Sequence, residues 1–162
     1  MRTTVCTLKT KMVVKDFFLP LMEAWESNRY RLPDELRSER YLGRLIPRKD
    51  TLFLKLENGW LIFLALEDNA NVLVLGEPDI RVVRQALKRF LDSIQGTRLT
   101  TLAPASANDY IGLLKRIGFL YEGRMRNSIV YDDELGDSVI LGFLPNAKAG
   151  RRRKRRGRRG GS

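Results

Sequence analysis

Apolar positions change period along the chain, and each change marks an element. Thr51 to Glu57 (TLFLKLE) alternates, with Leu52, Leu54 and Leu56 on one face, and Gly59 to Glu67 forms a second apolar run. Alternation of this kind predicts strands. Asn58-Gly59 between them predicts a type I′ hairpin turn, because both residues tolerate positive φ. A further turn over Asp68-Asn69-Ala70-Asn71 leads into Val72 to Leu75, so these three strands are expected to form an antiparallel meander. From Ile80 the period becomes helical: Ile80, Val83, Leu87, Phe90, Leu91 and Ile94 make one stripe, with Asp79 as cap and Gly96 as stop.

The next stretch has its own punctuation. Arg98 to Ala103 (RLTTLA) reads as a strand. Ser106 or Asn108 then caps a short helix carrying Tyr110, Ile111, Leu114 and Ile117, and Gly118 falls where a left-handed C-terminal cap belongs. Phe119 to Asp132 and Ser138 to Leu144 read as a last hairpin, turned by Asp133 to Asp137.

The N-terminal third is less regular. Val5 to Val14 (VCTLKTKMVV) is read as a first strand with imperfect alternation. After Asp16, the apolar residues Phe17, Phe18, Leu21, Met22 and Trp25 share a helical face, and Pro20 is compatible with that helix only in its first turn. Asn28 to Pro47 is polar and irregular, with a short helix expected from Asp34 to Leu42. Trp25 and Trp60 are read as core or sheet-face residues. Arg124 and Arg126 are read as solvated strand residues.

Composition narrows the chemistry. The chain has 162 residues and 43% hydrophobic content, enough for one domain with a core. No histidine is present, which removes Ser-His and Cys-His catalysis and the usual zinc sites; no metal site is expected. Cys6 is the single cysteine and can form no internal disulfide. No apolar run approaches the ~20 residues of a membrane span, and MRTTVCTLKTK has no signal-peptide core. The expected location is the cytoplasm.

The order strand, short helix, Gly-Phe, strand, with Asn108, Lys115, Ile117, Gly118, Phe119, Glu122, Gly123 and Arg126 at their spacings, resembles the C-terminal half of the GNAT N-acetyltransferase superfamily. The resemblance implies an α+β fold with a mixed, mostly antiparallel sheet flanked by helices over residues 1–145. It also implies an acetyl-CoA site whose pyrophosphate rests on backbone N–H groups at a helix N-terminus. That loop falls at Gly76-Glu77-Pro78-Asp79-Ile80-Arg81. If acetyl-CoA binds, Gly76, Ile80, Arg81 and Asn108 are the cofactor-side candidates.

The loop departs from the superfamily pattern. Glu77 and Asp79 place two carboxylates where an anion would sit, Pro78 removes a donor, and the closely spaced glycines are missing. Two acids at a helix start suit capping better than anion binding. The superfamily's general-acid Tyr falls at Leu114, with Tyr110 one turn earlier; Glu67 and Asp68 are the candidate general base. The chain is similar in size and eroded loop to short, divergent acetyltransferase-like proteins of tailed bacteriophages.

The net charge of +11 is segregated. Lys148, Arg151, Arg152, Arg153, Lys154, Arg155, Arg156, Arg158 and Arg159 carry nine positive charges after Pro145 with no acid, leaving 21 basic against 19 acidic residues in the body. Such a self-repelling, low-complexity segment, 146–162, is expected to be disordered alone. Arginine's planar fork suits phosphate, so the expected partner is a nucleic-acid backbone, DNA or RNA. Nine phosphate contacts on a duplex would give a log–log salt slope of about −8. Nuclear localisation or a solubilising role are the bland readings of the same run. A membrane partner is not expected, and Gly160-Gly161-Ser162 has no assigned role.

The leading expectation is a catalytically degenerate, nucleic-acid-associated structural or assembly protein, a phage virion component, needing no cofactor and contacting other structural proteins or itself. The alternative is an acetyl-CoA-dependent N-acetyltransferase with an atypical phosphate loop. A third reading is a small nucleic-acid-binding regulator.

Overall fold

The computed structural model describes residues 14–66 and 69–145. A six-stranded sheet runs in the spatial order β1-β2-β3-β4-β6-β5, with β1 at Thr51–Leu56, β2 at Gly59–Leu66, β3 at Asn69–Gly76, β4 at Leu99–Pro104, β5 at Leu120–Tyr131 and β6 at Glu134–Phe143. All neighbours are antiparallel except β3 and β4. Helices α1 (Val14–Ser27) and α2 (Glu39–Leu45) cover one face; α3 (Ile80–Ser93) and α4 (Asn108–Ile117) cover the other.

The alternation of β1 and β2 sorts their side chains into two cores. Leu54, Leu56, Leu61 and Phe63 join Val72 and Val74 beneath Val83, Leu87 and Leu91 of α3 and Tyr110, Leu113, Leu114 and Ile117 of α4. Phe53, Trp60, Ile62, Leu73 and Leu75 pack on Leu21 and Trp25 of α1 and on Leu42 and Leu45 of α2. Full burial of a leucine such as Leu87 contributes roughly 1.5–3 kcal/mol. Both tryptophans are core residues, and Trp25 Nε1 donates to the Leu36 carbonyl at 2.9 Å. The predicted α3 stripe is buried at Val83, Leu87 and Leu91, while Ile94 lies past the helix end and is exposed.

Several expected boundaries move. The β1–β2 turn is Glu57-Asn58, not Asn58-Gly59, because Gly59 already pairs with Leu56. Neither turn residue is left-handed. Gly59 is needed instead for close approach: a Cβ there would meet the Leu75 carbonyl oxygen at 2.2 Å. The last hairpin turns at Asp132-Asp133, both at positive φ (50° and 63°), so Glu134 to Asp137 belong to β6 rather than to the turn. The Asp34 carboxylate accepts the N–H groups of Asp132 and Asp133 at 2.9 and 2.8 Å, which offsets the strain of two non-glycine residues there.

The segment expected as one helix from Asp34 to Leu42 divides into a 3-10 turn at Asp34–Leu36 and α2, since the Ser38 hydroxyl accepts the Tyr41 N–H and starts a new helix. Pro20 sits in the seventh position of α1, past the first turn, where its missing N–H costs the helix a bond. Neither Ser106 nor Asn108 caps α4; Ala107 holds the N-cap position without a side-chain bond. Gly118 closes that helix at φ 121° as expected. The proposed first strand lies outside the described residues except for Val14, which opens α1, and so does the segment from 146 onward.

Candidate functional site

The sheet has one weak seam. β2 and β3 share eight registered residue pairs, whereas the parallel strands β3 and β4 share one, Asn71 with Thr100. Beyond it the strands diverge, and the outward N–H and C=O groups of Val74 and Gly76 lose strand partners. Buried backbone groups need replacements.

Those replacements come from the chain itself. Tyr110, fully buried on α4, holds its hydroxyl oxygen 3.1 Å from the Val74 N–H, which donates to it. Arg31, 2% exposed, donates through Nη1 to the carbonyls of Val74 (3.2 Å) and Gly76 (2.8 Å), through Nη2 to Glu77 (2.6 Å), and through Nε to the Tyr30 hydroxyl (2.9 Å). Its guanidinium carbon lies 5.1 Å from the Tyr110 ring centroid and 5.3 Å from that of Tyr30, a cation–π arrangement. Asn28 Oδ1 accepts the Gly76 N–H at 3.1 Å, and its Nδ2 is anchored on the Ala24 carbonyl. Burial pushes the Tyr110 phenol up from its ordinary value, with the Val74 N–H opposing.

The helix start beside the seam is filled in the same way. Asp79 Oδ1 accepts the N–H groups of Arg81 (2.8 Å) and Val82 (3.2 Å), and the Glu77 N–H donates to the Asn58 carbonyl. Gly76 takes φ 78°, and a Cβ on it would lie 2.4 Å from the Asn58 carbonyl oxygen. Its glycine is therefore required by contact with the β1–β2 turn. The donors of Gly76, Glu77, Arg81 and Val82, which an anion would need, all have acceptors from the chain.

The candidates named from sequence thus lie unequally. Gly76 and Tyr110 come together at the seam through Val74 and Arg31, while Ile80 and Arg81 open α3 and Arg81 is exposed. Asn108 is exposed at the first position of α4. Glu67 and Asp68, and the cationic set from Lys148 to Arg159, lie outside the described residues. Asn28 and Arg31 were not among the candidates. Their partners are 43 to 48 residues away, so no local spacing points to them.

On the α2 side of the seam a cavity of about 150 Å³ is lined by Arg31, Leu36, Leu64, Asn71, Thr101 and Ser138 among others. Drug-sized ligands occupy pockets of about 300 Å³ or more, and acetyl-CoA is larger still. Among the described residues no group of three or more acidic, cysteine or histidine side chains could hold a metal ion, and no helix is long and apolar enough to cross a membrane.

Sheet order, the parallel β3/β4 pair and the helix following β3 define the fold of the GNAT N-acetyltransferases. Among solved structures, the chain is similar to a mutant of the spermidine N-acetyltransferase SpeG from Vibrio cholerae (TM-score 0.66, 10% identity, covering 90% of this chain and 95% of that one). It is also similar to a putative acetyltransferase from Acinetobacter baylyi (TM-score 0.66, 14% identity, 88% and 90%) and a GNAT-family acetyltransferase from Bacillus anthracis (TM-score 0.63, 13% identity, 84% and 93%). No family model and no curated protein sequence matches the chain. Identities this low establish the fold.

The residues present do not fit acetyl-CoA in the arrangement described. Where the cofactor's phosphates would need donors, the N–H groups of Gly76, Glu77, Arg81 and Val82 are taken by the chain, and the Glu77 carboxylate stands beside them, held by Arg31 at 2.6 Å.

Proposed function

We propose that this chain uses the acetyltransferase fold as a non-enzymatic scaffold, a structural or assembly protein whose Arg-rich segment contacts nucleic acid, of the kind found in tailed-bacteriophage virions. The observation that carries the loss of catalysis is the seam filled by Asn28, Arg31 and Tyr110 beside the Asp79-capped helix start. The nucleic-acid and virion parts rest on the composition of 146–162 and on the sequence resemblance, and on nothing in the described residues.

A second reading is an acetyl-CoA-dependent N-acetyltransferase with an atypical phosphate loop. The likeness to acetyltransferases over about nine-tenths of the chain favours this reading over the first. The SpeG neighbour makes a polyamine a reasonable acceptor to try. Thermal unfolding of the full chain with and without about 1 mM acetyl-CoA separates the two. Ligand at 100 times its dissociation constant stabilises by about 2.7 kcal/mol, or roughly 5–10 °C here. The scaffold reading expects no shift and no acetyl-CoA consumption with spermidine present; a shift with turnover establishes the enzyme.

A further inference from the structure

The charges of the described residues are segregated by face. Helices α3 and α4 carry Arg81, Arg84, Lys88, Arg89, Lys115 and Arg116 against two acids, Asp92 and Asp109. Among the side chains described, helices α1 and α2, on the other face, carry Arg40 and Arg44 against Glu23 and Glu26. The β5–β6 hairpin carries Arg124 and Arg126 against Glu122, Asp132, Asp133, Glu134 and Asp137.

Away from α3 and α4, Arg29, Arg37, Arg48, Arg98 and Arg124 hold carboxylates. Arg81, Lys88, Arg89, Lys115 and Arg116 are exposed and have no ion pair among the described residues. Arg84 is spent on structure: Nε donates to the Ile117 carbonyl at 2.6 Å and Nη2 to the Arg116 carbonyl at 2.7 Å, fixing α3 to the end of α4. Arg40, Arg44, Lys49, Lys55 and Arg126 elsewhere are also exposed without an ion pair among the described residues, but α3 and α4 together hold five such cations and a net charge of +4, six basic residues against two acids.

The surface of α3 and α4 also adjoins the root of the Arg-rich segment. A Cβ on Gly118, at the end of α4, would lie 3.5 Å from the Phe143 ring and 3.8 Å from Arg84 Nε, so β6 ends against this corner. Pro145, two residues on, precedes the nine cations of 148–159.

We infer that the α3/α4 face is a second contact surface for the phosphate backbone of duplex DNA, in addition to the C-terminal cations. This rests on the nucleic-acid association proposed above. The face presents long cationic side chains and no exposed aromatic on which an unpaired base could stack. Gln85 on α3 and Asn108 at the start of α4 are the exposed neutral amides of the two helices, few with which to read a 2′-hydroxyl. Contact is to backbone and independent of sequence.

The test measures binding of the full chain to a fluorescent DNA duplex over a salt series. With the five unpaired cations of α3 and α4 added to the nine, the log–log slope approaches about −13. A full-length variant with Lys88, Arg89, Lys115 and Arg116 all changed to Gln is expected to lose about 4 units of slope and at least tenfold in affinity at 0.1 M salt, with unchanged thermal unfolding, since all four side chains are exposed. A slope and affinity equal to the parent chain would overturn the inference and leave binding by the C-terminal segment intact. A full-length variant with Arg151, Arg152, Arg153, Arg155, Arg156, Arg158 and Arg159 changed to Ser is expected to retain a slope of about −4 to −6. No binding by the parent chain would remove both readings, and tighter binding to a single strand or to duplex RNA would overturn the choice of duplex DNA.

Discussion

Two junctions of the same strand differ in what holds them. On its β2 side β3 is paired over its whole length, from Leu66 with Asn69 to Gly59 with Gly76. On its β4 side one registered pair is followed by divergence, and Asn28, Arg31 and Tyr110 supply the bonds that a neighbouring strand otherwise supplies. The first junction is a ladder that depends on no single side chain. The second concentrates the same backbone requirement in three side chains, drawn from the residue that follows α1, from a 3-10 turn at Arg29–Arg31 and from α4. A gap between strands is an opening for a ligand only while its backbone groups are free, and on the β3 side those of Val74 and Gly76 are not.

The largest effect on this contrast is expected from Arg31→Met, which keeps the chain's bulk and removes its donors. The Val74 and Gly76 carbonyls then lose their partners in a buried place, costing about 3 kcal/mol in urea unfolding. A cost below about 1 kcal/mol would mean that the seam does not depend on the guanidinium. Tyr110→Phe removes only the acceptor of the Val74 N–H and is expected to cost about 2 kcal/mol by the same measurement. Asp79→Ala, at the exposed helix start, is expected to cost about 1 kcal/mol as a lost N-cap while leaving the seam intact.

The smallest effect concerns pH. The N–H of Asp133 first, then that of Asp132 and the charge of Arg37, hold the Asp34 carboxyl below its ordinary value. A carboxyl whose folded value is depressed contributes stability that is complete above the unfolded value, about 3.9, and is lost as pH falls through the folded one. Unfolding midpoints of Asp34→Asn are therefore expected to fall less than those of the parent chain between pH 5 and 2. A parallel decline in both would show that the hairpin tip does not depend on this charge.

The strands and the two later helices were legible because their signals are local. Alternation in TLFLKLE, the stripe from Ile80 to Leu91 and the Gly-Phe stop after α4 each lie within one element. The turns were read less well. Asn58-Gly59 carries the residues of a type I′ turn, yet Gly59 is held by the approach of Leu75, and the left-handed pair is Asp132-Asp133, stabilised by Asp34 from nearly 100 residues away. Of the two acids read as capping chemistry, Asp79 caps α3, a local signal, whereas Glu77 accepts from Arg31, 46 residues away. Asn28 and Arg31 left no trace in an irregular polar segment, because only the folded sheet brings Val74 and Gly76 to them.

Amide hydrogen exchange at Val74 and Gly76 tests the central claim most directly. If Tyr110 and Asn28 hold these two N–H groups, both are protected in the full chain without ligand to nearly the level of the β2–β3 ladder, and about 1 mM acetyl-CoA leaves their exchange unchanged. Fast exchange at both positions, slowed only when acetyl-CoA is added, would show an open seam that the cofactor closes, and the filled site described above would be wrong.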